Sequence, residues 1–172
     1  MPKKELLMLI VFDVDKTLCD TAHLDHLIPP QGASFKPWWS ALEADTNLQP
    51  MPGSVEYVNW LLNFTIKATP YLLILTSRHN TLKKTTTAFL AKWFPGLMAR
   101  GPMLSMASGP DNCTDSTKCT RLKRIVQHVQ VLETRSLGIE APRQSVVLID
   151  DDQSMQNCLS PEDTYIDVSH GW

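Results

Sequence analysis

Asp13 and Asp15 lie two positions apart in VFDVDKTLCDT, residues 11–21, directly after an apolar run. A strand that carries two like charges out of an apolar layer needs a compensating partner for them. Two other apolar runs end in reactive residues. YLLIL at 71–75 leads into Thr76-Ser77-Arg78, and SVVLI at 145–149 leads into Asp150-Asp151-Asp152. Ligands of open α/β sheets bind beyond the carboxyl ends of the strands. Parallel neighbours would therefore bring these three groups to one crevice, where a hard, oxygen-rich set of carboxylates suits Mg²⁺.

The chemistry such a crevice supports is phosphoryl transfer. A carboxylate can attack phosphorus and form an aspartyl-phosphate, which divides hydrolysis into two easier steps. A second carboxylate two residues on can protonate the leaving oxygen and then activate water. Thr76 can hydrogen-bond a phosphoryl oxygen, and a lysine can hold charge that the metal leaves uncovered. Each feature taken singly has a plainer reading. An isolated D-x-D is a solvated turn, T-S after a strand is a helix cap, and an acidic run is a loop or a weak calcium site. Their joint occurrence at three strand ends favours a site.

The elements that must position these groups follow from the pattern. Leu6 to Phe12, 71–75, a weaker run at 102–107, 145–149 and 164–168 read as strands. Helices are expected from Pro52 onward, from the residues after TSRHN to about Trp93, and from Lys118 or thereabouts to Gly138. Alternating strands and helices indicate an α/β fold with a mainly parallel sheet in a single domain, residues 1–172. Residues 20 to 52 carry Pro29, Pro30, Pro37, Pro50 and Pro52 and read as irregular, a flap-like insertion over about 20–50. In it, Phe35, Lys36, Trp38 and Trp39 either meet a base and a phosphate or pack the flap onto the core.

Composition narrows the setting. The 172 residues are 43% hydrophobic and 20% charged, with a net charge of −2 that supplies no global field for polyanions. Cys19, Cys113, Cys119 and Cys158 form no C-x-x-C pair, and they are expected to be reduced. No apolar stretch approaches the ~20 residues of a membrane span. A cytoplasmic location without membrane contact is expected.

DVDKT, the threonine of ILTSR, a downstream lysine and LIDDD resemble, in order, the four motifs of the haloacid dehalogenase superfamily, over residues 6 to 168. The resemblance implies a three-layer Rossmann-like fold with five central parallel strands, a minimal cap, Mg²⁺ and an aspartyl-phosphate intermediate. By it Asp13 is the nucleophile, Asp15 the general acid and base, and Thr76 the phosphate-binding hydroxyl. Asp13, the main-chain carbonyl of Asp15, Asp150 and Asp151 hold the metal. Lys16 stands where many members have glycine and is a candidate substrate contact. For the motif lysine, Lys118 is preferred to Lys123. Within the superfamily, the TSR step, Asp115 ahead of Lys118 and the double aspartate are similar to the 3′-phosphatase domains of bacteriophage polynucleotide kinase-phosphatases. That likeness makes Arg78 and Asp115 substrate- or site-orienting residues and a phosphorylated nucleotide or nucleic-acid end the expected substrate. No G-x-x-x-x-G-K-[ST] loop occurs, so a kinase half is missing. A sugar phosphate or other small metabolite, and a non-catalytic phosphate-binding module, are the alternatives.

Overall fold

Ile10 and Phe12 pack on one side of strand β1 (Met8–Phe12), Leu9 and Val11 on the other, and all four are buried. A strand covered on both faces belongs at the centre of a sheet, and β1 is there. The computed structural model describes residues 8–65, 71–109 and 116–172. After β1 come β2 (Cys19–Asp20), a 3₁₀ helix (Ala22–Leu27), α1 (Lys36–Ala44), β3 (Gln49–Pro50) and α2 (Ser54–Thr65). Then follow β4 (Tyr71–His79), α3 (Lys83–Trp93), α4 (Pro95–Ala99), β5 (Met103–Ala107) and α5 (Ser116–Leu137). β6 (Ser145–Asp150), a 3₁₀ helix (Gln153–Cys158) and β7 (Thr164–Asp167) complete the order.

The main sheet has the order β5-β4-β1-β6-β7, and every pairing in it is parallel. Phe12 is in register with Ile74 on one side and Ile149 on the other, so Asp13 and Asp150 leave the sheet side by side. One face is covered by α1, α2, α3 and α4 through Leu42, Val58, Leu90 and Leu97. The other is covered by α5 and the 3₁₀ helix at 153–158 through Leu122, Val126 and Met155. This is the expected three-layer α/β architecture. Helix α5 ends where Gly138 takes a φ of 68°, the left-handed conformation that glycine adopts without a Cβ clash. Among the described residues no helix is long and apolar enough to cross a membrane.

Three expectations change. The insertion is not irregular throughout. Pro37 sits in the first turn of α1, where its missing N–H costs nothing, and Trp38 and Leu42, four residues apart, bury one face of that helix. The antiparallel pair β2–β3 closes the base of the insertion. Strand β4 does not stop at Leu75 but continues to His79, with a register shift against β5 between Leu75 and His79. Such irregularities re-aim side chains at a strand end.

The third change concerns the cysteines. Cys119 and Cys158 are joined in a disulfide with a Cα separation of 5.4 Å, while Cys19 is free and buried. Cys113 lies outside the described residues. The bond ties the first turn of α5 to the 3₁₀ helix after β6 and closes a loop of 39 residues. Spacing in sequence carries no trace of it, because the two elements meet only in the fold. Reduction and alkylation should lower the unfolding free energy by about 2–4 kcal/mol, read as an earlier urea midpoint. An unchanged midpoint would mean that the bond contributes nothing in solution.

Candidate active site

Lys118 reaches from the start of α5 to the ends of β1 and β6. Its Nζ donates to Asp13 Oδ1 at 2.8 Å and to Asp150 Oδ2 at 2.7 Å, and only 4% of the residue is exposed. Burial opposes the charge on Lys118, but the two carboxylates hold it well above the usual lysine range. Lys123 is exposed on the same helix, so Lys118 occupies the site. Thr17, fully buried, donates to Asp13 Oδ2 at 3.0 Å and lies 3.4 Å from Asp151 Oδ1. Asp150 Oδ1 accepts from the Asp152 N–H.

Asp13, Asp150 and Asp151 each bring one carboxylate oxygen within 4.8 Å of the others. Three carboxylates against one ammonium leave negative charge to be compensated, and an all-oxygen donor set fits a hard divalent cation. Burial first, then the charge of Asp13, push the Asp150 carboxyl up to about 7 and that of Asp151 up to about 8, while Lys118 pulls Asp150 back down. A carboxyl whose pKa is raised by folding stabilises the fold while protonated. That contribution is lost as pH rises from the unfolded value of about 4 through the folded one. In EDTA the melting temperature should therefore fall between about pH 5 and pH 8. Mg²⁺ should restore more of it at pH 8 than at pH 6, since the cation competes with those protons. A Mg²⁺ effect that does not change with pH would argue against this cluster as the binding site.

Asp15 is not in that cluster. Arg78 donates to both of its oxygens, from Nε at 3.0 and 3.1 Å and from Nη2 at 2.7 Å, and spends Nη1 on Thr86 Oγ1 at 3.0 Å. Burial works against the charge of Arg78, and the Asp15 carboxylate more than offsets this. Expected as a substrate- or site-orienting residue, Arg78 is 1% exposed and fixes the plane of the Asp15 carboxylate. Asp15 itself keeps 22% of its side chain exposed, open to the crevice. With its carboxylate on Arg78, Asp15 has only its main-chain carbonyl to offer a metal. Beside this pair, burial pushes the Cys19 thiol up to about 12, which leaves it unreactive.

Thr76 is fully buried, and its Oγ1 accepts from the Arg78 N–H at 3.1 Å, leaving its own proton to donate. Ser77 beside it is exposed and lines the crevice. Arg121 of α5 donates to the Thr76 carbonyl and to Ser105 Oγ, both at 2.8 Å. Asp115 lies outside the described residues. Sequence reasoning gave no role to Thr17, Thr86 or Trp172, whose Nε1 donates to the Thr17 carbonyl at 2.8 Å. Only Thr17 carried a signal, as the last residue of DVDKT.

Lys16 adopts a φ of 60°, which explains why glycine suits this position. Its Nζ pairs with Asp25 of the insertion at 2.7 Å, and both side chains are about 40% exposed. The left-handed conformation costs a side-chain-bearing residue about 1–2 kcal/mol, and such an exposed pair returns at most about 1 kcal/mol. Lys16→Gly should raise the unfolding free energy by up to about 1 kcal/mol in a denaturant titration. A clear loss would mean that the ion pair anchors the insertion.

Asp13, Asp15, Ser77, Lys118, Asp150 and Asp151 line one cavity of about 440 Å³, which Ile28, Phe35, Trp38 and Trp39 of the insertion and His79 also line. No family model matches the chain, and no curated protein matches it. Two solved structures align with it. A candidate phosphoglycolate phosphatase from Lactobacillus plantarum shares 16% identity at a TM-score of 0.49, over 88% of this chain and 81% of that one. A HAD-superfamily hydrolase of subfamily IA, variant 1, from Geobacter sulfurreducens shares 12% identity at a TM-score of 0.45, over 89% and 82%.

Proposed function

We propose that the protein is a phosphomonoesterase of the haloacid dehalogenase type, with Mg²⁺ as cofactor and a nucleotide or a polynucleotide 3′-phosphate as substrate. The observation that carries this reading is one cluster. Asp13, Asp150, Asp151 and Lys118 meet at the ends of adjacent strands, with Asp15 held apart from them on Arg78. Two carboxylates two residues apart thus stand in different surroundings, as a nucleophile and an acid–base group require.

In the first step an Asp13 oxygen attacks phosphorus, the bond to the leaving oxygen breaks, and Asp15 delivers a proton to that oxygen. In the second, Asp15 takes a proton from water. The water oxygen attacks the aspartyl-phosphate, the bond to Asp13 breaks, and orthophosphate leaves. Lys118 offsets negative charge beside Asp13, and the Thr76 and Ser77 hydroxyls stand next in line for the phosphoryl oxygens. Mg²⁺, when bound, supplies the charge neutralisation that lets an anionic nucleophile approach an anionic phosphate.

The TSR step, the double aspartate and the small insertion support a polynucleotide end or a nucleotide as substrate. The cytoplasmic setting is part of the proposal, and there the Cys119–Cys158 bond would face a reducing thiol pool. The test is Mg²⁺-dependent phosphate release from 3′- and 5′-phosphorylated oligonucleotides, mononucleotides and sugar phosphates, with Asp13→Asn protein as control. Preference for the 3′ oligonucleotide or a mononucleotide supports the reading. Preference for a sugar phosphate transfers the same chemistry to a small metabolite. Absence of Asp13-dependent release from every substrate would leave a phosphate-binding module.

A further inference from the structure

The cavity is divided chemically by chain segment. Strand ends supply its acids, and the insertion supplies Ile28, Phe35, Trp38 and Trp39. His79 lies against Trp39 in a stack, with ring centroids 4.6 Å apart and planes 25° from parallel. Both nitrogens of His79 are engaged, one with Thr81 and the other with the Gly109 carbonyl. The imidazole therefore buttresses the indole and has no hydrogen bond left for a ligand. Trp38 is 8% exposed, and its indole N–H has no acceptor among the described residues. Buried tryptophans ordinarily find one.

A wall of this composition discriminates by chemistry. A sugar hydroxyl set against it would lose water without a partner, at a cost of about 1–3 kcal/mol. A planar ring would stack on it. The cavity volume, about 440 Å³, is in the range of small-ligand sites.

We propose that the Phe35–Trp38–Trp39 wall is the leaving-group subsite and that it holds the nucleobase of the nucleoside whose phosphate is removed. Trp39 is then a specificity-determining residue, with His79 as its support. The proposal rests on the phosphatase reading for its phosphate end, and it adds a preference that the acidic cluster alone does not create.

The experiment compares kcat/KM for a nucleoside 3′-monophosphate with that for the same deoxyribose 3-phosphate lacking the base, in wild type, Trp39→Ala and Trp39→Phe. Wild type should prefer the base-bearing substrate by roughly 5- to 150-fold, the span of base–aromatic stacking. Trp39→Ala should bring the ratio towards one, and Trp39→Phe should restore most of it. Because a ratio is read, a general loss of activity cannot imitate the result. A wild-type ratio near one, or an undiminished ratio in Trp39→Ala, overturns the subsite and leaves the phosphatase reading standing. A binding arm covers the reverse case. In ¹⁵N-labelled Asp13→Asn protein, the nucleotide should shift the Trp39 indole N–H signal and the abasic phosphate should not. That shift without any turnover by wild type would sustain the subsite and sink the phosphatase reading. Its absence overturns the subsite.

Discussion

Asp13→Asn should fold and release no phosphate. Asparagine keeps the size of the side chain and one oxygen to accept from Thr17 or Lys118, so the ends of β1 and β6 keep their spacing. Lys118 retains the Asp150 carboxylate and stays compensated. The amide has no anionic oxygen to attack phosphorus, and loss of a nucleophile that acts as one unit with its partners costs on the order of 10⁴- to 10⁶-fold in turnover. The measurement is single-turnover phosphate release beside a urea titration of the same protein. Turnover within tenfold of wild type would exclude Asp13 as nucleophile, and the aspartyl-phosphate with it.

Lys118→Met should cost stability as well as rate. The ammonium is the one cation bonded to both Asp13 and Asp150 among the described residues, and methionine fills its volume without its charge. Two buried carboxylates then face each other unpaired, a loss of about 3–5 kcal/mol when one partner of a buried pair is removed. The sign of the pH dependence follows from Asp150. Burial already raises its pKa, and without Lys118 only the Asp152 N–H pulls it back, so a proton can take over part of the compensation in acid. The deficit in EDTA should therefore be larger at pH 8 than at pH 5, and Mg²⁺ should recover part of it at pH 8. Equal denaturation midpoints for variant and wild type at pH 8 would show that the cluster is not desolvated.

Much of the fold was legible because apolar runs of strand length are hard to read otherwise. MLIVF, YLLIL and SVVLI all form strands, and the aspartates after the first and last of them meet because parallel register puts Phe12 beside Ile149. What escaped was tertiary in origin. Helix α1 hides among prolines and declares itself only when Trp38 and Leu42 find the core. Arg78 reads as a substrate- or site-orienting residue, and TSR alone does not show that it is buried. The partner that makes burial tolerable, Asp15, lies 63 residues earlier. TSR likewise does not show that Ser77 lines the cavity while Thr76 is fully buried.

The position of β1 has a consequence for how the chain comes to be folded. β1 is synthesised before its two neighbours, β4 and β6, yet lies in the middle of the sheet. Its second edge stays open until β6 emerges, roughly 130 residues and on the order of ten seconds later at ordinary elongation rates. Through that interval an apolar strand with a free edge is an aggregation hazard, and a chaperone that holds extended apolar segments would recognise it. The acidic cluster is complete only once Asp150 has joined Asp13. A cation held there would come too late to template early folding, and any stabilisation by Mg²⁺ should appear in the unfolding rate rather than in the folding rate.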